Sequence, residues 1–295
     1  MSLQKKKVLV TDLDNTLFDW VDLWYSCFTA MLREITNISG IPVDKLKPAI
    51  RQIHRKHGTS EYSFLIEELP MLREKFHGCD LMKVFAPAIE AYRSERRNRL
   101  RLYPSVAETL LKIKGRGTLI VGYTESMAFY SNYRLRRLGL DGVIDVLFSP
   151  ADHDSPEGLT KEEIRKYPAS HYQLRYTTQE HTPKDSRKPD PAVLNSIIID
   201  LNLPKNDCVY VGDSLFKDVA MAQDAGVDDV WAKYGEAQHR EEYELLREVT
   251  HWTDDDVQRE KRIRERDVQP KYTLEHSYSG MLEIFEFGDA DADAR

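Results

Sequence analysis

The fold of this chain turns on VLVTDLDNTLFDW, residues 8–20. Val8, Leu9, Val10 and Thr11 are aliphatic or β-branched, a run too short for a core helix and suited to a parallel strand buried on both faces. Asp12 and Asp14 then arrive where that strand should end. Unpaired buried carboxylates are costly, so the pair needs an explanation. Either the aspartates cap the next turn, or the strand tip is an active site whose carboxylates are held by a cation.

Four more runs share this character: TLIVGY (118–123), VIDVLF (143–148), CVYV (208–211) and DVWA (229–232). Helical patterns lie between them over 126–138, 190–201 and 215–225, the first and last stopping at Gly139 and Gly226, as left-handed helix caps do. Strands alternating with helices predict an α/β fold, a Rossmann-like parallel sheet with helices on both faces. Ligands of such sheets bind beyond the carboxyl ends of the strands. Residues 21–99 break the alternation. Val21, Trp24, Tyr25, Phe28, Leu32 and Ile35 follow helical spacing, and 85–99 reads as another helix. This stretch therefore predicts an all-helical module inserted after the first strand, whose aromatic stripe faces a core rather than a ligand. The expected division is a discontinuous sheet core of residues 1–20 and 100–288, an inserted helical module of 21–99, and a disordered acidic tail of 289–295.

Two polar excursions interrupt the core, at 150–187 and 235–269. The first reads as a loop elaboration and the second as a charged helix; neither is expected to supply chemistry. DVQREKRIRERD (256–267) offsets its basic residues with acids and reads as a solvated helix, not a nucleic-acid site. The 295 residues hold 42 Lys and Arg against 49 Asp and Glu, a net charge of −7, without the basic face of a nucleic-acid binder. Cys27, Cys79 and Cys208 are odd in number and far apart. That disfavours a disulfide framework and favours a reducing compartment. Asp12 ends the first apolar run too early for a signal peptide, and no run approaches the length of a membrane span. A cytoplasmic protein with neither nucleic-acid nor membrane partners is expected; the oligomeric state is not readable from these features.

Three further stretches complete the chemistry. VGYTES places Thr124 and Glu125 after the second strand, SRKPDP places Lys188 just before a helix, and VYVGDSLFKD places Asp213 and Asp218 after a later strand. Each residue alone has a plain reading: Asp14 a turn former, Thr16 a cap, Lys188 an exposed lysine, Asp213 a helix N-cap, Asp218 a solvated helix face, Glu125 a first-turn acid. Together, Asp12/Asp14/Thr16, Thr124, Lys188 and Gly212–Asp213/Asp218 resemble, in order and at the expected strand ends, the motifs of the haloacid dehalogenase superfamily in its phosphatase branch. The resemblance covers about two thirds of the chain, the sheet domain.

The resemblance implies that Asp12 is the nucleophile and forms an aspartyl-phosphate, splitting a very slow hydrolysis into two steps. It implies a Mg²⁺ ion held by Asp12, the Asp14 main chain and Asp213, in keeping with that ion's preference for hard oxygen ligands. Asp14 would protonate the leaving alkoxide and then activate water; its presence counts against dehalogenation. Thr124 and Lys188 would bind phosphoryl oxygens, while Thr16 and Asp218 support the site. By the same resemblance the sheet domain is the catalytic core and the inserted helical module 21–99 is the cap, which would choose the small phosphorylated metabolite. Trp20 and the run His54, Arg55, Lys56 and His57 are the candidates there, against the plainer reading of that run as a solvated helix end. A phosphotransferase or mutase, or a phosphate-binding scaffold without turnover, remains the alternative.

Overall fold

The computed structural model describes residues 3–288, except 185, 254, 256, 257, 259–261, 263 and 264. The tail 289–295 and much of the run 256–267 lie outside the described residues. Seven strands form one parallel sheet in the order β5-β4-β3-β2-β6-β7-β8. They are β2 (Val8–Thr11), β3 (Leu119–Tyr123), β4 (Val146–Ser149), β5 (Thr178–His181), β6 (Cys208–Gly212), β7 (Asp228–Trp231) and β8 (Tyr272–Thr273). A separate parallel pair joins β1 (Gln4–Lys6) to β9 (Phe285–Phe287).

The central strand is β2, all four of its residues buried, with Val8 opposite Leu119 on one side and Cys208 on the other. The chain builds outward from β2 to β5 and then returns to lay β6 on the other side of β2. This reversal of direction opens a crevice beyond the carboxyl ends of β2 and β6. Side chains alternate across the strand. Leu9 packs with α7 (Val106–Gly115) and α8 (Ala128–Arg137), whereas Val8 and Val10 pack with α10 (Pro191–Asp200) and α11 (Ala220–Ala225). The sheet is thus covered on both faces, as the aliphatic strands require.

Between β2 and α7 the chain forms six helices: α1 (Trp20–Ser39), α2 (Val43–His57), α3 (Leu65–Glu68), α4 (Pro70–Lys75), α5 (Leu81–Val84) and α6 (Ala86–Arg99). The loop after Asp14 starts α1. Asn15, in the left-handed region at φ 60°, accepts bonds from the amides of Trp20 (3.0 Å) and Val21 (3.1 Å), and Asp19 caps Asp22. Gly40 ends the helix at φ 65°. The α1 stripe is core: Trp24, Phe28, Leu32 and Ile35 are buried in a cluster of their own, with Trp24 stacked on Phe28 at 4.8 Å.

Three features depart furthest from the sequence reading. The strand expected at 143 begins at Val146, because residues 140–144 close a turn through the amide of Ile144 and the carbonyl of Leu140. The excursion 150–187, read as a loop elaboration, contains the short helix α9 (Lys161–Ile164) and the edge strand β5, whose sequence TQEH is polar and mostly exposed. An edge strand with no buried face leaves no hydrophobic period to read. The helix expected at 215 opens as a wide π-turn over Leu215–Val219 before α11, a distortion common at functional sites. Among the described residues no helix is long and apolar enough to cross a membrane.

Candidate active site

Asp12 follows β2 directly, and its amide still bonds to the Val211 carbonyl of β6 at 2.9 Å. Its carboxylate accepts from Lys188 Nζ at 2.5 Å on Oδ1 and from Thr16 Oγ1 at 3.0 Å on Oδ2. Lys188 Nζ donates also to Asp218 Oδ1 at 2.9 Å, and its side chain is only 2% exposed. Asp218 is fully engaged: Tyr210 Oη donates to Oδ1 at 2.8 Å and the Ser214 amide to Oδ2 at 3.1 Å. The π-turn brings Asp218 back against the end of β6. There Gly212 makes room, since a Cβ at that position would lie 2.3 Å from Asp218 Cγ. Asp213 completes the group, with one oxygen from each of Asp12, Asp213 and Asp218 lying within 4.8 Å of the others.

Three carboxylates around one ammonium leave excess negative charge in a dry place. Burial, with the neighbouring Asp218 and Asp14 charges, pushes the Asp12 carboxyl up to about 7 against the pull of Lys188. Burial with the Asp218 and Asp12 charges likewise holds Asp213 well above the carboxylate range. Burial works against the Lys188 charge, but Asp12 and Asp218 outweigh it and keep the ammonium protonated. A divalent cation is the natural complement of such a cluster, and an all-oxygen donor set fits Mg²⁺. Asp218, with both oxygens occupied, serves Lys188. The Asp213 carboxylate accepts no hydrogen bond among the described residues, while its main-chain carbonyl accepts from Trp231 Nε1 at 2.8 Å.

Asp14 stands apart on its own donors. Its Oδ2 accepts from Thr124 Oγ1 (3.0 Å) and Ser126 Oγ (2.7 Å), and its Oδ1 from Arg134 at 3.2 Å. Arg134, on α8 and 3% exposed, also donates to Ser126 Oγ at 2.9 Å and, on its other arm, to Glu61 from the helical layer. Glu61 in turn accepts from Trp20 Nε1 at 3.2 Å, and its carbonyl meets His153 Nε2 at 2.9 Å. Asp12, Asp14, Lys188 and Asp213 border a cavity of about 640 Å³ between the sheet ends and the helices, as do Trp20, Glu61, Ser126 and His153.

The sequence profile of the family described as haloacid dehalogenase-like hydrolase matches residues 6–226. The chain belongs to this family. Two relatives named glyceraldehyde 3-phosphate phosphatase, from Pyrococcus furiosus and Methanopyrus kandleri, are each 23% identical to it. The first alignment covers 79% of this chain and 83% of the relative, the second 80% and 87%. Among solved structures, a 2-haloacid dehalogenase from Pseudomonas syringae superposes with a TM-score of 0.54 at 19% identity, covering 95% of this chain and 97% of that one. The fold is that of the haloacid dehalogenase-like hydrolases, and the chain is a hydrolase.

In this hydrolase the helical-layer candidates scatter. His54 is buried away from the cavity, its Nδ1–H donating to the Val249 carbonyl at 2.7 Å. Arg55 donates to the Trp252 carbonyl at 3.3 Å and does not reach the cavity wall. These two correct the sequence reading, because α2 turns that face toward a later segment rather than toward the site. Lys56 and His57 do border the cavity but pair with Glu68, at 2.9 and 3.0 Å. Trp20 borders it as well. Sequence reasoning missed Arg134, Glu61, Ser126 and His153. Ser126 lies in VGYTES two residues after Thr124, a signal the sequence carries; a single Arg in an amphipathic helix gives none. Glu125 turns out to organise two lysines, with the Lys188 amide at 3.1 Å and Lys217 Nζ at 2.6 Å.

Proposed function

We propose that the protein is a Mg²⁺-dependent phosphomonoesterase that hydrolyses a small phosphorylated metabolite through an aspartyl-phosphate on Asp12. The observation that carries this reading is one buried cluster in which Lys188 and Asp213 meet Asp12, while Asp14 stands beside them on separate donors. Binding alone needs no second acid. The phosphatase relatives support a phosphate ester as the substrate class.

The Asp12 and Asp213 carboxylates and the Asp14 main-chain carbonyl would hold the Mg²⁺, which when bound would offset the repulsion between an anionic ester and an anionic nucleophile. Asp12 attacks phosphorus and forms the new O–P bond as the bond to the leaving oxygen breaks. Lys188, kept charged by Asp218, faces the charge on the phosphoryl oxygens. Asp14 passes a proton to the leaving oxygen, then takes one from the water that opens the phospho-aspartate. Ser126, Thr124 and Arg134 hold its carboxyl in one orientation for both steps. Thr124, already a donor in this network, is placed to turn toward a phosphoryl oxygen.

The test is phosphate release from a panel of small esters with Mg²⁺ or with EDTA, in wild type and Asp12→Asn. Release that needs Mg²⁺ and is lost in the variant is expected. Release only when a second hydroxyl compound is supplied would make the enzyme a phosphotransferase instead.

A further inference from the structure

The segment 235–252 enters from the C-terminal half of the chain, beyond the residues matched by the family. Its helix α12 (Glu242–Val249) nevertheless packs into the helical layer. Leu246 (1% exposed) and Val249 (0%) sit in the apolar cluster of Trp24, Phe28, Ile50 and Ile53. Polar bonds follow the same seam. The Val249 carbonyl takes the His54 bond, Ser60 Oγ lies 3.3 Å from Thr250 Oγ1 and 3.0 Å from His251 Nδ1, and Lys47 pairs with Glu248 at 2.6 Å. The start of the segment is tied to the loop that carries Asp12 and Asp14. Tyr234 Oη donates to the Thr16 carbonyl at 2.7 Å, and Arg240 pairs with Asp19 at 2.6 Å. Gly235 lies so close that a Cβ there would stand 1.9 Å from the Asn15 carbonyl oxygen.

The far end of the segment turns into the cavity. Trp252 borders it, with the Tyr243 ring 5.9 Å away and Lys217 Nζ 5.8 Å from its own ring centre. Phe216 from the π-turn and Trp20 from α1 also line it. The cavity of about 640 Å³ is of a size that takes a whole small molecule, far more than a phosphoryl group. The core motifs engage only the phosphoryl end, so this wall meets the remainder of the substrate.

Resting on the phosphomonoesterase reading, we infer that the segment 235–252 is a second, separately encoded half of the cap. Trp252 is its specificity-determining residue, packing on a planar ring in the leaving group of the phosphate ester. Aromatic side chains from three parts of the chain line this one cavity and suit a flat ring, because ring-on-ring contact tolerates different ring chemistries.

The test compares kcat and KM for p-nitrophenyl phosphate, adenosine 5′-monophosphate and acetyl phosphate in wild type, Trp252→Ala and Trp252→Phe. Trp252→Ala should raise KM about fivefold to tenfold for the better of the two ring-bearing esters. Its kcat should be kept and acetyl phosphate left within about twofold, and Trp252→Phe should restore most of the loss. Which ring ester responds distinguishes an aryl from a nucleobase leaving group. An equal loss on all three esters, the mark of a structural role, would overturn the inference, and so would no change on any. Calorimetric titration of adenosine 5′-monophosphate and p-nitrophenyl phosphate into Asp12→Asn, with and without Trp252→Ala, reads the same contact without turnover. Ring-dependent binding there, with no Mg²⁺-dependent release by wild type, would sink the phosphatase reading and leave this one standing.

Discussion

Lys188 and Arg134 are both buried cations held between two carboxylates, yet they belong to different kinds of structure. Lys188 bonds Asp12, which follows β2, and Asp218, which the π-turn brings back against the end of β6. Arg134 bonds Asp14 from the sheet side and Glu61 from the helical layer, so its arrangement exists only while the two halves are docked. The first is a fixed charge in a rigid scaffold. The second is a seam, and what it holds in place, the Asp14 carboxyl, is the group proposed to move protons. In this enzyme the surroundings of Asp12 are independent of the helical layer, and those of Asp14 are not.

The largest effect should come from Lys188→Met. Removing the ammonium leaves Asp12 and Asp218 without their shared partner, and steady-state phosphate release should fall about 10³-fold with the fold retained by circular dichroism. A loss below tenfold would mean that Lys188 only balances charge. Arg134→Met strands Asp14 and Glu61 together and should cost about 3–5 kcal/mol in urea unfolding. Combining it with Glu61→Gln should recover part of that loss if the seam is one coupled unit; simple additivity would show that the two act separately. Leu246→Ala should cost about 3 kcal/mol. Hydrogen exchange should then rise in α1 and α2 and stay unchanged in β2 and β6, and equal protection everywhere would deny α12 its place in the helical layer.

The smallest effect concerns pH. Burial keeps the His54 ring neutral and lowers its pKa to about 4, below the ordinary 6.5. The unfolded chain therefore binds the extra proton first. The stability it contributes is present above about 6.5 and is lost as pH falls toward 4. Between pH 7 and 5 the loss should be about 2 kcal/mol, measured by urea unfolding, and His54→Phe should flatten it. The same slope in that variant would point to other groups. Burial, with the Arg187 charge, likewise lowers His251, to about 3, on the same seam, so acid should loosen the helical layer before the sheet.

Legibility in the sequence followed the range of the interactions. The strand tips carrying Asp12, Asp213 and Thr124 were readable because a buried parallel strand must be aliphatic over its few residues and stop abruptly at its functional end. The α1 stripe was readable from its helical period, and Trp24, Phe28, Leu32 and Ile35 are core. The polar edge strand β5 was not, having no buried face to impose a pattern. His54 and Arg55 misled for a related reason: basic residues in a last helical turn look alike whether they face a site, solvent or another segment.

The local pattern of residues was enough to establish the parallel sheet, the inserted helices and the order of the acidic and basic motifs along the chain. These follow from strand and helix periodicity and from the chemistry that a run of conspicuous carboxylates demands. Only the folded chain decided that Arg134 meets Glu61, that Asp218 spends both oxygens on partners, and that α12 lies among helices encoded some 200 residues earlier. Those contacts depend on how whole layers dock, and a docking angle leaves no periodic trace in the residues that it brings together.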